Sequence, residues 1–165
     1  KQYGSHGDMV TTVEPEVEYP VRLATEHPIY ERDRTRRFAA LLATVAENDA
    51  AREPLLAAAG DLMIQSHFSY DHRCNLGSPE TDAIVNLARQ RGTKAGIMGA
   101  KITGGGAGGT VAILADVRRH QDMASTLRSI AEEYAAQTGN TPRLLSGSSD
   151  GAMHYGTKQI TLSAG

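Results

Sequence analysis

Tryptophan is absent from these 165 residues, phenylalanine occurs twice and cysteine once. Without large aromatic rings, a core has to be assembled from Ala, Leu, Ile and Val side chains packed between helices and a sheet. The single thiol, Cys74, cannot close an internal disulfide or share a metal site with a second cysteine. That fits a reducing compartment, the expected location is cytoplasmic, and the side chain reads as a buried, inert thiol. No apolar run approaches the roughly 20 residues that cross a bilayer, and no basic-then-apolar leader opens the sequence, so no membrane partner is expected. An excess of positive charge is missing too. Seventeen Lys and Arg against 19 Asp and Glu leave a formal charge of −2, which gives no field for sequence-independent binding of nucleic acid. Any phosphate has to be bound locally.

What is present is the balance of an ordinary globular domain, 40% hydrophobic and 22% charged. One domain is expected, long enough to bury one core. Val10 to Val13 and Val17 to Leu23 alternate around the turn signal Glu14-Pro15-Glu16 and predict an early strand pair. Ile29, Phe38, Leu41, Leu42 and Val45 recur at helical spacing, so an amphipathic helix is expected over 29–45. A second begins near Pro54 and runs past Ser66. Ser78-Pro79-Glu80-Thr81-Asp82 offers a capping hydroxyl, a first-turn proline and first-turn acids, the clearest helix start in the chain. Strands are predicted over Ala95 to Thr103 and Thr110 to Leu114, a helix from about Asp122 to Gln137 stopped by Gly139, and short strands at Arg143 to Leu145 and His154 to Leu162. Together these describe an α+β fold, a mostly antiparallel sheet with helices packed on one face.

Between the two central strand runs lies Gly104-Gly105-Gly106-Ala107-Gly108-Gly109. Five glycines in six positions cost conformational entropy, so the loop needs permissive backbone angles or the close approach of another group. A run of amide N–H groups without side chains can wrap an anion. It can equally be a structural turn between strands. Gly104, Gly106 and Gly109 satisfy G-x-G-x-x-G, yet a strand follows instead of a helix, which removes the context of a dinucleotide site. Thr110 stands where a P-loop needs lysine.

Other clusters have ordinary explanations. His67 and His72 are five apart beside Asp71, a spacing that does not suit two ligands on one helix face, so no metal site is expected. The arginines at 32, 34, 36 and 37 read as a solvated face, with Asp33 and Arg37 paired at i,i+4. Ser146 to Gly151 has turn composition, and His154 has no serine and aspartate partners at a hydrolase spacing.

Gly99-Ala100-Lys101-Ile102-Thr103 with the glycine loop and Thr110-Val111 resembles the third, C-terminal motif of GHMP kinases. Gly60-Asp61-Leu62-Met63-Ile64-Gln65-Ser66-His67 and Leu76-Gly77-Ser78-Pro79-Glu80-Thr81-Asp82 resemble the two helices that precede it in galactokinases. His27-Pro28-Ile29-Tyr30-Glu31 and the segment from Thr138-Gly139 through Gly147-Ser148-Ser149-Asp150-Gly151-Ala152 resemble L-arabinokinase-type proteins. The sequence departs from many galactokinases at Thr110, where they carry Cys. The resemblance implies a ferredoxin-like C-terminal domain over 1–165, with an N-terminal ATP-binding domain in the same polypeptide supplying the main phosphate loop and the catalytic aspartate. It implies transfer of the γ-phosphoryl group of ATP, with Mg2+, to a sugar hydroxyl. No catalytic residue is expected within 1–165. Lys101, Thr103, Gly104, Gly105, Gly106, Gly108 and Gly109 are the candidate nucleotide contacts, acting through backbone dipoles and the Lys101 charge. A β-branched residue at Gly106 is expected to slow phosphorylation without unfolding the protein. The rival reading is a non-catalytic α+β module that binds a ligand or partner through its sheet edge or glycine loop.

Overall fold

A computed structural model describes residues 12–118, 120, 122–147, 150, 154, 156 and 157. Among these residues four α-helices and one hairpin follow in the order α1 (Val21–Glu47), α2 (Arg52–Cys74), α3 (Pro79–Arg91), β1 (Ile97–Thr103), β2 (Thr110–Ala115) and α4 (Met123–Thr138). The class is α+β, and the sheet among the described residues is a two-stranded antiparallel one. Its register runs from Thr103 opposite Thr110 to Ile97 opposite Ala115, with an irregularity between Ile97 and Gly99. No described helix is long and apolar enough to cross a membrane.

β1 is the centre of the molecule. Its Ile97 and Ala100 join Val85, Leu87 and Ala88 of α3 and Met123, Ile130 and Tyr134 of α4 in one buried cluster. Its Met98 meets Val45 of α1 and Leu56 of α2 in a second. An aliphatic core of this kind follows from a sequence so poor in aromatic rings.

Local chemistry sets the helix ends. Ser78 Oγ accepts from the Thr81 N–H at 3.3 Å and Pro79 occupies the first turn of α3, as the sequence predicts. Asp122 caps α4 through the Ser125 N–H, and Gly139 closes it at a left-handed φ of 75°. α2 ends on Asn75, also left-handed, whose N–H bonds back to Asp71 O at 2.8 Å.

Two strand expectations are corrected. The turn at Glu14-Pro15-Glu16 is present, with Val17 N–H bonded to Glu14 O at 3.2 Å, but Val17 to Leu23 is not a strand. The chain turns helical at Val21 and continues through Pro28. Side-chain bonds one turn apart decide it, from Arg22 Nε to Glu26 Oε1 at 2.8 Å and from Thr25 Oγ1 to Val21 O at 2.7 Å. They match the helical repeat and outweigh a weak strand preference. Of the partner stretch, 10 and 11 lie outside the described residues and Thr12 and Val13 have no regular structure. Arg143 to Leu145 also forms no strand, and Leu144 and Leu145 are exposed. His154 to Leu162 lies outside the described residues except for His154, Gly156 and Thr157, none of them in a strand.

Candidate functional site

The glycine loop joins β1 to β2 and stands against the connection between α2 and α3. Gly104, Gly106, Gly108 and Gly109 have φ of 86°, 85°, 103° and 110°, and Gly105 between them does not share this left-handed backbone. Backbone amides in a bend of this kind have no side chains that would bar the approach of another group. Ala107 is left-handed too, at 55°, which for a residue with a Cβ costs on the order of 1 kcal/mol. Something has to hold that shape. The Ala107 N–H donates to Leu76 O at 2.7 Å, and among the described residues it is the one loop amide with a backbone acceptor. The Tyr70 hydroxyl donates to Gly104 O at 2.9 Å.

The glycines divide by what surrounds them. A Cβ on Gly106 would meet Leu76 Cβ at 2.6 Å and Tyr70 Cε1 at 2.9 Å, so this glycine is needed for packing. One on Gly108 would sit 3.6 Å from Ser78 Oγ, at the start of α3. Gly104, Gly105 and Gly109 face open space. The loop therefore rests on Leu76 and Tyr70 at Gly106 and Ala107 and leaves Gly104, Gly105 and Gly109 exposed, with Gly108 beside the start of α3.

The flanking candidates part company. Thr103 is exposed at the end of β1. Lys101, on the same side of the strand, reaches toward α1, with Nζ 3.7 Å from Glu31 Oε1. Glu31 also accepts from Ser66 Oγ at 2.6 Å and from Arg34 Nη2 at 3.1 Å. Burial opposes charge on Glu31, but the Ser66 hydroxyl with Lys101 and Arg34 still holds its carboxyl below the ordinary range. These side chains line a cavity of about 270 Å³ between α1, α2 and β1. Arg34, expected on a solvated face, turns inward to Glu31, and the exposed pair there is Asp33 with Arg37, at 2.8 Å.

His67 links three elements. Its Nδ1 accepts the Ile102 N–H of β1 at 3.3 Å, so the neutral ring carries its proton on Nε2, which lies 3.1 Å from Asp82 Oδ1 of α3. Burial lowers its pKa from the ordinary value against the opposing pull of Asp82 and Asp71. His72 instead lies 2.9 Å from Asp71 Oδ2 and stacks on Phe68. Among the described residues no three His, Cys, Asp or Glu side chains converge as metal ligands. Cys74 is half-buried where full burial was expected, and that burial still raises its pKa, as suits an unreactive thiol.

Residues 48–136 match the family model described as GHMP kinases C terminal. The chain belongs to this family. The match covers α2, α3, the hairpin and most of α4, and so includes the whole glycine loop. The GHMP kinase domain is 35% identical to an L-arabinokinase of Arabidopsis thaliana over 166 aligned positions, 97% of this chain and 15% of that protein. It is 36% identical to a galactokinase of Mannheimia succiniciproducens over 91 positions, 55% of this chain and 22% of that one. A galactokinase of Pasteurella multocida is 39% identical over 84 positions, 51% of this chain and 20% of that one. The GHMP domain thus spans less than a quarter of the length of each of these three relatives. α1, outside the family match, falls inside the alignment to the L-arabinokinase.

Proposed function

We propose that this chain is the C-terminal domain, over 1–165, of an ATP-dependent sugar kinase acting in the cytoplasm, and that its glycine loop contacts the phosphates of the nucleotide. The observation that carries the reading is the loop itself. Gly104, Gly105 and Gly109 stand over open space, Gly104 and Gly109 with left-handed backbones, in a chain that aligns almost end to end with part of an L-arabinokinase. Phosphoryl transfer spreads negative charge over the transferred group, and preorganised amide dipoles stabilise such charge with no reorganisation at the moment of reaction. Gly104, Gly105, Gly106, Gly108 and Gly109 form that surface. Thr103 sits exposed at its edge, and Lys101 adds positive charge behind it while lying 3.7 Å from Glu31.

Magnesium, which balances nucleotide charge in phosphoryl transfer, finds no cluster of carboxylates among the described residues. In this reading it is held with ATP by an N-terminal domain of the same polypeptide, which also brings the catalytic aspartate and the main phosphate loop. The acceptor is a sugar hydroxyl, with arabinose and galactose the first candidates from the names of the relatives.

The test is an ATP-consumption assay of the complete polypeptide against a panel of sugars, with Gly105→Val beside wild type. Gly105 has room for a side chain and lacks a left-handed φ, so the variant keeps the fold while its isopropyl group covers the amides. It is expected to weaken ATP binding about tenfold or more. No turnover with any sugar, or an unchanged ATP affinity in Gly105→Val, defeats the reading. Gly106 serves less well, because a side chain there disturbs Leu76 and Tyr70 whether or not a nucleotide binds.

A further inference from the structure

We infer that Tyr70 is a positioning residue for the glycine loop, holding its amides toward the nucleotide while drawing a carbonyl away. The inference rests on the reading of the loop as a phosphate contact. Tyr70 lies in the penultimate turn of α2, 34 residues from Gly104, and its hydroxyl donates to the Gly104 carbonyl at 2.9 Å. An anion nest needs its N–H groups facing the ligand and its carbonyl oxygens elsewhere, since an oxygen turned inward repels phosphate. The phenol engages the carbonyl at the first left-handed glycine, where the loop leaves β1. Its ring serves the same end, because its Cε1 lies 2.9 Å from where a Gly106 side chain would begin.

The phenol is itself fixed. Its ring meets that of His27 on α1 edge to face, with centroids 5.2 Å apart, and His27 Nδ1 lies 3.0 Å from the Ser69 hydroxyl. The Leu76 N–H bonds to Tyr70 O at 3.2 Å, while Leu76 O takes the Ala107 N–H. The end of α2, through Tyr70, and Leu76 just beyond it therefore hold the loop at Gly104 and at Ala107. A tyrosine hydroxyl at the surface is satisfied by water and needs no protein partner; this one is aimed at a carbonyl in a strained loop.

The experiment compares Tyr70→Phe, Gly105→Val and wild type in the complete polypeptide. It uses backbone hydrogen exchange over 104–109, MgATP affinity by calorimetry, and KM for ATP against KM for the accepted sugar. Tyr70→Phe keeps the ring and removes the hydrogen bond. Loop exchange should rise several-fold, the scale of one net hydrogen bond. MgATP affinity should fall about three- to tenfold, with the sugar KM and the melting temperature nearly unchanged. Unchanged exchange and affinity in Tyr70→Phe, with a loss in Gly105→Val, overturns the role of Tyr70 and leaves the phosphate contact standing. Faster exchange with MgATP affinity unmoved in both variants removes the phosphate contact, and the positioning role falls with it. A parallel rise in both KM values with a lower melting temperature assigns Tyr70 to general stability and also overturns the inference.

Discussion

Gly60 of α2 and Gly99 of β1 meet backbone to backbone, with no room for a side chain on either. A Cβ on Gly99 would lie 2.7 Å from Gly60 O, and one on Gly60 would lie 2.9 Å from Gly99 N and collide with the Met98 carbonyl. The obstacles are main chain and cannot rotate aside. Gly60→Ala or Gly99→Ala must push helix and strand apart along the central strand of the fold. We expect a loss of about 2 to 3 kcal/mol, the upper end of overpacking costs, and a melting temperature lower by roughly 5 to 10 °C. A thermal melt matching wild type for both variants would show that the two elements do not approach this closely.

The features legible in the sequence are those written in neighbouring residues. The start of α3 could be read because Ser78, Pro79 and Thr81 do their work within one turn. The hairpin could be read because two apolar runs flank a stretch of glycine. The first two turns of α1 could not: Val21 and Leu23 are exposed, and helix there is favoured by the Arg22–Glu26 pair and by Arg73 of α2, whose Nε lies 3.5 Å from Glu26 Oε2. The loop glycines could be named, but not which of them rest on Tyr70 and Leu76, since those contacts join positions about 30 residues apart. His67 gave no signal beyond its own identity. Its partners come from β1 and α3.

Asp116, at the end of β2, is fully buried, and Arg52 Nε at the start of α2 reaches its Oδ1 at 2.9 Å. The same oxygen takes the Arg118 N–H at 3.2 Å. Removing one partner of a buried pair takes away part of what compensates the other's desolvated charge, which costs more than the pair contributed. Arg52→Met should therefore lower stability by about 3 kcal/mol. Arg52→Met with Asp116→Asn should recover part of that loss, because the amide carries no charge to compensate. A double-mutant cycle in urea measures the coupling, and strictly additive losses would mean that the two side chains act independently.

The bond between His67 Nδ1 and the Ile102 N–H makes stability depend on pH. The accepting nitrogen has to stay unprotonated, and burial already lowers the pKa of His67 in the folded state, with Lys101 adding to the effect while Asp82 and Asp71 oppose it. In the unfolded chain the imidazole titrates near its ordinary value, about 6.5. As pH falls below that value the unfolded state binds a proton that the folded state refuses, so stability declines until the lower folded pKa is passed and then levels off. Burial lowers His27 in the same way and adds to the slope. Stability should be flat from pH 8 to 7 and drop between pH 6.5 and 5, before the carboxylates titrate. His67→Asn places an amide oxygen close to the position of Nδ1, so it keeps an acceptor for Ile102 and removes the titration. The variant starts less stable through lost packing, but its slope over that window should be shallower than wild type, with only the share of His27 left. Urea midpoints at half-unit pH steps measure both slopes. Equal slopes would mean that His67 takes up its proton as readily folded as unfolded, and that the Ile102 N–H does not depend on it.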